Sequence, residues 1–210
     1  MDICIHDLRK FSTDKHKKVA LRQAQGNPEL RRRIDDRPYG GGPGMVLKIE
    51  PLSRALESIL KTKNTKTKVV LFSVGGKQFD AKMATDWAQK YKQIVMVAGH
   101  YEGVDERLEK IVFENWKLKI ENLSIGPYVL TGGELPAMVV IDSVSRHIPG
   151  FLGKAESLEE NRYGAGLPCY TRPEVFAYKG KKYKVPPVLL SGDHKKIGEW
   201  KTKNQNTSGR

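Results

Sequence analysis

The sequence predicts an α/β protein built around a parallel sheet, and two observations carry that reading. Lys68 to Val74 (KVVLFSV) and Gln93 to Ala98 (QIVMVA) are apolar without alternation, and each ends in glycine, Gly75 and Gly76 after the first and Gly99 after the second. Strands covered on both faces look like this, as the strands of parallel sheets are. Between them, Phe79 to Tyr91 has the length of a helix. Strand, helix, strand at these lengths is a βαβ unit.

The remaining elements follow in chain order. Pro51 to Lys61 reads as an amphipathic helix, with Leu52, Leu56 and Ile59 on one face. Glu134 to Ile148 reads as a long helix, apolar on nearly every side through Leu135, Met138, Val139, Val140, Ile141 and Val144. Such a helix must be covered twice, by its own sheet and by another subunit. Lys154 to Arg172 mixes Gly, Pro and charge without periodicity and reads as a linker. Lys184 to Leu190 then reads as a strand, Asp193 to Trp200 as a short helix, and KTKNQNTSGR as a frayed tail. The expected domains are 1–153, a linker at 154–172, and 173–210.

Composition narrows the function. The 210 residues include 37 Lys plus Arg against 24 Asp plus Glu, a formal net charge of +13. A polyanionic partner is the favoured explanation, because Lys and Arg displace condensed counterions from a phosphate backbone. Cys4 and Cys169 lie far apart, with no CxxC and no histidine at ligand spacing, so a zinc site and a disulfide framework are disfavoured and a reducing cytoplasm fits. No apolar run approaches the ~20 residues that span a bilayer, and MDICIHDLRKF has no signal-peptide core.

Three glycine-rich segments stand out: Tyr39 to Met45 (YGGGPGM), Gly99 to Arg107 (GHYEGVDER) and Ser124 to Pro136 (SIGPYVLTGGELP). Glycine allows close backbone approach, so each can wrap a ligand or simply make a tight turn. The middle one can equally be a helix start with carboxylates on its positive end. No GxGxxG opens a helix and no GxxxxGK[ST] occurs, which disfavours a nucleotide-triphosphate enzyme. What remains is loops at the carboxyl ends of parallel strands, where such sheets place ligands. Asp142 and Arg146, at i and i+4, can pair with each other or serve a site.

With DDRPYGGGPGM (35–45), GHYEGVDER (99–107), SIGPYVLTGGELPAMVVIDSVSRHIPG (124–150), YTRPEV (170–175) and VPPVLLSGDHKKI (185–197) in this order, the chain closely resembles the bacterial tRNA (guanine-N1)-methyltransferases of the SPOUT class. The resemblance covers nearly all of residues 1–200. It implies a deep trefoil knot in the carboxyl part of the α/β domain and a shortened carboxyl-terminal extension that binds tRNA. It implies a homodimer in the cytoplasm, with sites shared between subunits and no membrane association. S-adenosylmethionine would bind at Gly99, Tyr101, Glu102, Ile125, Gly126, Pro127, Tyr128, Val129, Leu130, Gly132, Gly133 and Pro136. Asp35, Tyr39, Gly41 and Gly42 would meet the substrate, the guanosine just 3′ of the tRNA anticodon. No protein metal site is implied, and Mg2+ assistance is left open.

For the catalytic pair the resemblance supplies Arg146, at the family's arginine position, to stabilise charge on guanine O6. The family's base is an Asp in the linker, after a Gly-x-x-Gly turn like Gly150 to Gly153. Counted without gaps, its place here is Asn161, which is no base, and one register step gives Glu160, with Glu159 beside it. Other departures are His100 where some members have Arg, Val74 where a Pro adjoins the cofactor, and an apparent insertion at 20–34. That segment's Arg22, Arg31, Arg32 and Arg33 either touch tRNA or ride on a tolerated surface insertion. MDICIHDL matches the family's second strand, so the chain is expected to start one strand and one helix late and to grip tRNA more weakly through its shortened end. The second reading is a catalytically weakened relative that binds cofactor or RNA without turnover.

Overall fold

The protein, seen in a computed structural model that describes residues 1–13, 32–61, 66–152 and 167–204, falls into two units, Met1–Ile148 and Pro149–Arg210. The first begins with a 3-10 helix, Leu8–Phe11, capped by Asp7 accepting from the Arg9 N–H. Residues 1–7, expected to form a strand, have no strand pairing, and Ile3 and Ile5 are exposed. Strands β1 (Asp35–Asp36) and β2 (Val46–Leu47) pair antiparallel around the first glycine loop.

Helix α1 (Ile49–Ile59) buries Leu52 and Leu56 of the face the sequence marks, with Ala55 beside them and Ile59 partly buried against the same core. The sheet comes next: β3 (Thr67–Gln78), helix α2 (Ala81–Lys90), β4 (Gln93–Val97), helix α3 (Arg107–Trp116), β5 (Ile120–Ser124) and helix α4 (Glu134–Ser145). All three strands are parallel, in the order β4-β3-β5. Asp80 starts α2 by accepting from the Met83 N–H at 2.7 Å. β3 runs four residues past the expected Val74, because its register against β5 slips between Phe72 and Lys77 and the double glycine sits inside the slip.

Adjacent residues of β3 enter different cores. Val69 joins Leu52, Leu56, Leu108 and Val112 from α1 and α3. Val70 joins Met83, Trp87, Val140 and Val144 from α2 and α4. Both valines are fully buried, which is why the strand's sequence shows no alternation. The crossovers β3–α2–β4 and β4–α3–β5 run in opposite directions across the sheet. Right-handed connections then require α2 and α3 on opposite faces, as found. At the carboxyl edge the loops after β3 and β4 therefore leave toward opposite sides, opening a crevice.

The second unit departs from expectation. Strands β6 (Val175–Tyr178) and β7 (Lys181–Lys184) form an antiparallel hairpin that the sequence reading missed. Its central residues Lys179 and Gly180 have φ of 48° and 74°, the positive values that two-residue type I′ turns need. The expected strand Lys184–Leu190 is instead the end of β7 followed by helix α5 (Pro187–Leu190). Pro186 and Pro187 have no N–H for a ladder, while Pro187 suits the first helical position. Helix α6 (His194–Lys203) starts where expected, its Asp193 accepting from Lys195 and Lys196 N–H, and runs past Trp200. Most of the expected insertion and linker lies outside the described residues.

Candidate functional site

The loops after β4 and β5 meet at the carboxyl edge of the sheet. Gly133 N–H donates to Gly99 O at 2.8 Å, and His100 bridges Gly132 in antiparallel fashion. A Cβ on Gly133 would lie 2.6 Å from the Ala98 Cα, so only glycine lets these loops touch. His100 Nδ1 stands 3.5 Å from a Glu134 carboxylate oxygen across the same junction.

Under this junction lies a cavity of about 430 Å3. It is walled by Gly99, Tyr101, Glu102, Ile125, Gly126, Tyr128, Val129, Leu130, Gly132, Gly133 and Pro136. Eleven of the twelve residues expected at a cofactor site are thus together, and Pro127 is exposed outside the lining. His100 and Val74, two of the departures from the family's pattern, also line it. Phe72, Ser73 and Asn122 line it too and were not anticipated, while Glu106 and Thr131 join from two of the glycine-rich segments without having been named as site residues. Phe72, Ser73 and Asn122 belong to β3 and β5, so the rule that places ligands beyond the carboxyl ends of strands was the available signal.

Tyr101 adopts φ 57°, a left-handed conformation rare outside glycine, and its ring meets His100 edge-on at 5.0 Å. The segment after it both lines the cavity and leads into the start of a helix, α3 at Arg107. Asp105 accepts from the Arg107 N–H at 3.0 Å and from its guanidinium at 2.8 and 2.5 Å. That hydrogen bond to Arg107 holds the Asp105 carboxyl below its ordinary range, and Asp105 in turn raises Arg107.

The first glycine loop is anchored to this rim. Glu102 N–H donates to Met45 O at 3.0 Å, Leu47 N–H to Gly103 O at 3.0 Å, and Asp105 N–H to Leu47 O at 3.2 Å. Gly44, at φ 92°, lies so close to Glu102 that a Cβ would stand 2.4 Å from its carboxylate. At the loop tip Tyr39 is fully exposed, and Gly41 and Gly42 have positive φ with open space where a Cβ would be. Asp35, in β1, is half-buried with Arg33 Nε at 3.9 Å. Arg146 follows the last turn of α4, half-buried and outside the cavity lining, its N–H donating to Asp142 O at 3.3 Å. Glu159, Glu160 and Asn161 lie outside the described residues.

Among the described residues no three His, Cys, Asp or Glu side chains group as metal ligands, and no helix is long and apolar enough to cross a membrane. Cys4 and Cys169 are free and exposed.

Comparison with known proteins agrees in both family and extent. A tRNA (guanine-N(1)-)-methyltransferase of Dehalococcoides mccartyi is 44% identical over 202 residues, 95% of this chain and 71% of that protein. One from Haemophilus influenzae is 44% identical over 199 residues, 93% of this chain and 70% of its own. One from Geobacter metallireducens is 41% identical over 204 residues, 96% and 72%. The family model described as tRNA (Guanine-1)-methyltransferase TrmD matches residues 1–210, and with relatives this similar over nearly its whole length the chain belongs to that family.

Proposed function

We propose that the chain methylates N1 of the guanosine just 3′ of the anticodon in tRNA, with S-adenosylmethionine as donor. The observation that carries the proposal is the cavity between the β4 and β5 loops, assembled from the segments that carry the family resemblance. Its volume suits a small-molecule ligand, and the close approach of Gly133 to Ala98 and Gly99 puts main chain at its wall. Glu102 and Glu106 add carboxylates suited to a cationic sulfonium and to ribose hydroxyls.

The residues fit that group: Gly99, the backbone from Ile125 to Leu130, Tyr101, Glu102, Gly132, Gly133 and Pro136 would hold it. When bound, S-adenosylmethionine supplies an electrophilic methyl group on its sulfonium. The protein's part is to make guanine N1 nucleophilic. N1 carries a proton at neutral pH, and a general base must remove it. Glu160 takes that role in this reading, with Glu159 the neighbouring carboxylate. Loss of the proton puts negative charge on O6, which the fixed cation of Arg146 stabilises. Asp35, Tyr39, Gly41 and Gly42 receive the guanosine.

The knot belongs to this reading, supported by the contact between the loops after β4 and β5. So does a homodimer. α4 buries Pro136, Val140 and Val144, while Leu135, Met138 and Val139 remain 58%, 64% and 45% exposed on its other side, an apolar stripe suited to a second subunit. A tRNA substrate places the work in the cytoplasm.

The deciding assay is transfer of labelled methyl to unmodified tRNA, with the product identified by mass spectrometry. N1-methylguanosine at that guanosine, lost when it is replaced by adenosine, is the expected result. Cofactor binding without any N1-methylguanosine would overturn the proposal and favour the weakened relative that Asn161 suggests.

A further inference from the structure

The second unit presents a surface that the cavity does not use. In the β6–β7 hairpin Phe176 pairs with Tyr183 and Tyr178 with Lys181, so these four side chains share one face, while Val175, Ala177, Lys182 and Lys184 share the other. Every hairpin residue is exposed, and Phe176, Tyr178 and Tyr183 are 55%, 54% and 54% exposed. The Phe176 and Tyr178 rings are near-parallel, 11° apart with centroids at 6.2 Å. Lys179 Nζ sits 5.4 Å from the Tyr178 centroid.

Charge decides what such a face receives. Residues 175–184 contain Lys179, Lys181, Lys182 and Lys184 and no carboxylate. A second copy of the hairpin would bring like charges together, whereas an unpaired nucleotide offers a base to the rings and a phosphate to the ammonium groups. We propose that the Phe176, Tyr178 and Tyr183 face stacks unpaired bases of the RNA substrate while the neighbouring lysines hold its phosphates. The identity of that RNA as tRNA rests on the function proposed above.

The test uses the full chain, unmodified tRNA, and a single-stranded RNA carrying 2-aminopurine, whose fluorescence is quenched on stacking. Exchanging both Phe176→Ala and Tyr178→Ala should raise the Kd and KM for tRNA about tenfold or more. kcat at saturating tRNA and S-adenosylmethionine affinity should stay at parent values, and the 2-aminopurine quench should be lost. Phe176→Trp should restore binding, and Lys181→Glu should make binding less salt-dependent. A folded double variant with parent RNA affinity would overturn the inference, as would a change in sedimentation without a change in RNA affinity. The two proposals fail separately. A parent chain that quenches 2-aminopurine RNA yet makes no N1-methylguanosine refutes the activity alone, and a double variant methylating tRNA at the parent KM refutes the hairpin alone.

Discussion

Gly133 sits where a single added carbon would meet main chain of the neighbouring loop. Its Gly133→Ala variant must push Ala98 away or break the Gly133–Gly99 hydrogen bond, and either change reshapes the cavity. S-adenosylmethionine binding by calorimetry should fall at least tenfold, with destabilisation of about 1–3 kcal/mol from overpacking. The catalytic assignments make a different prediction. Glu160→Gln should lower kcat by about 10²-fold or more while leaving cofactor affinity intact, and undiminished turnover removes Glu160 from the mechanism. Asp105 allows a pH test. Its carboxyl is depressed when folded, so its contribution is present above the unfolded value of about 4 and lost as pH falls through the folded value. Asp105→Asn should therefore lower urea stability modestly at pH 7 and progressively less toward acid, because the pair lies near the surface. The three glycine-rich runs were legible in composition, while the individual residues expected around the cavity came from the family resemblance. Pro127, implied by the resemblance as part of the backbone from Ile125 to Leu130, is exposed and outside the lining.

Among the elements, the central βαβ unit and α1 were readable because burial of a helix on one face leaves a periodic trace, and burial of a strand on both faces leaves an unbroken apolar run. Asp80→Ala should cost about 1 kcal/mol in denaturant unfolding, since the Met83 N–H loses its acceptor. The hairpin left only a weak trace: its strands are four residues long and exposed, β6 (VFAY) apolar and β7 (KKYK) lysine-rich, so neither shows alternation, and only Lys179-Gly180 signalled the turn. Pro186-Pro187 misled in the opposite way. An apolar run reads as a strand until the missing N–H groups are counted.

For the whole molecule, two properties remain to be measured together. Met138→Glu, at the centre of the exposed α4 stripe, should shift sedimentation from dimer to monomer and abolish methyl transfer if each site needs both subunits. With a formal charge of +13, tRNA affinity should fall steeply between low and moderate salt, while cofactor affinity changes little. The sheet order and the side to which each crossover passes were not written in any single segment. They follow from right-handed connections between strands whose pairing only the folded chain reveals.

The junction of Gly99, Gly132 and Gly133 bears on inhibition. A competitor seated against it would touch main chain at that wall, where a point mutation has no side chain to trade away. Escape there would require replacing a glycine such as Gly133, whose close contact with Ala98 leaves no room for a Cβ. Resistance would then arise more readily from the side-chain part of the wall, at Tyr101, Glu102 or Val129, and compounds anchored on the glycine side should retain potency longest.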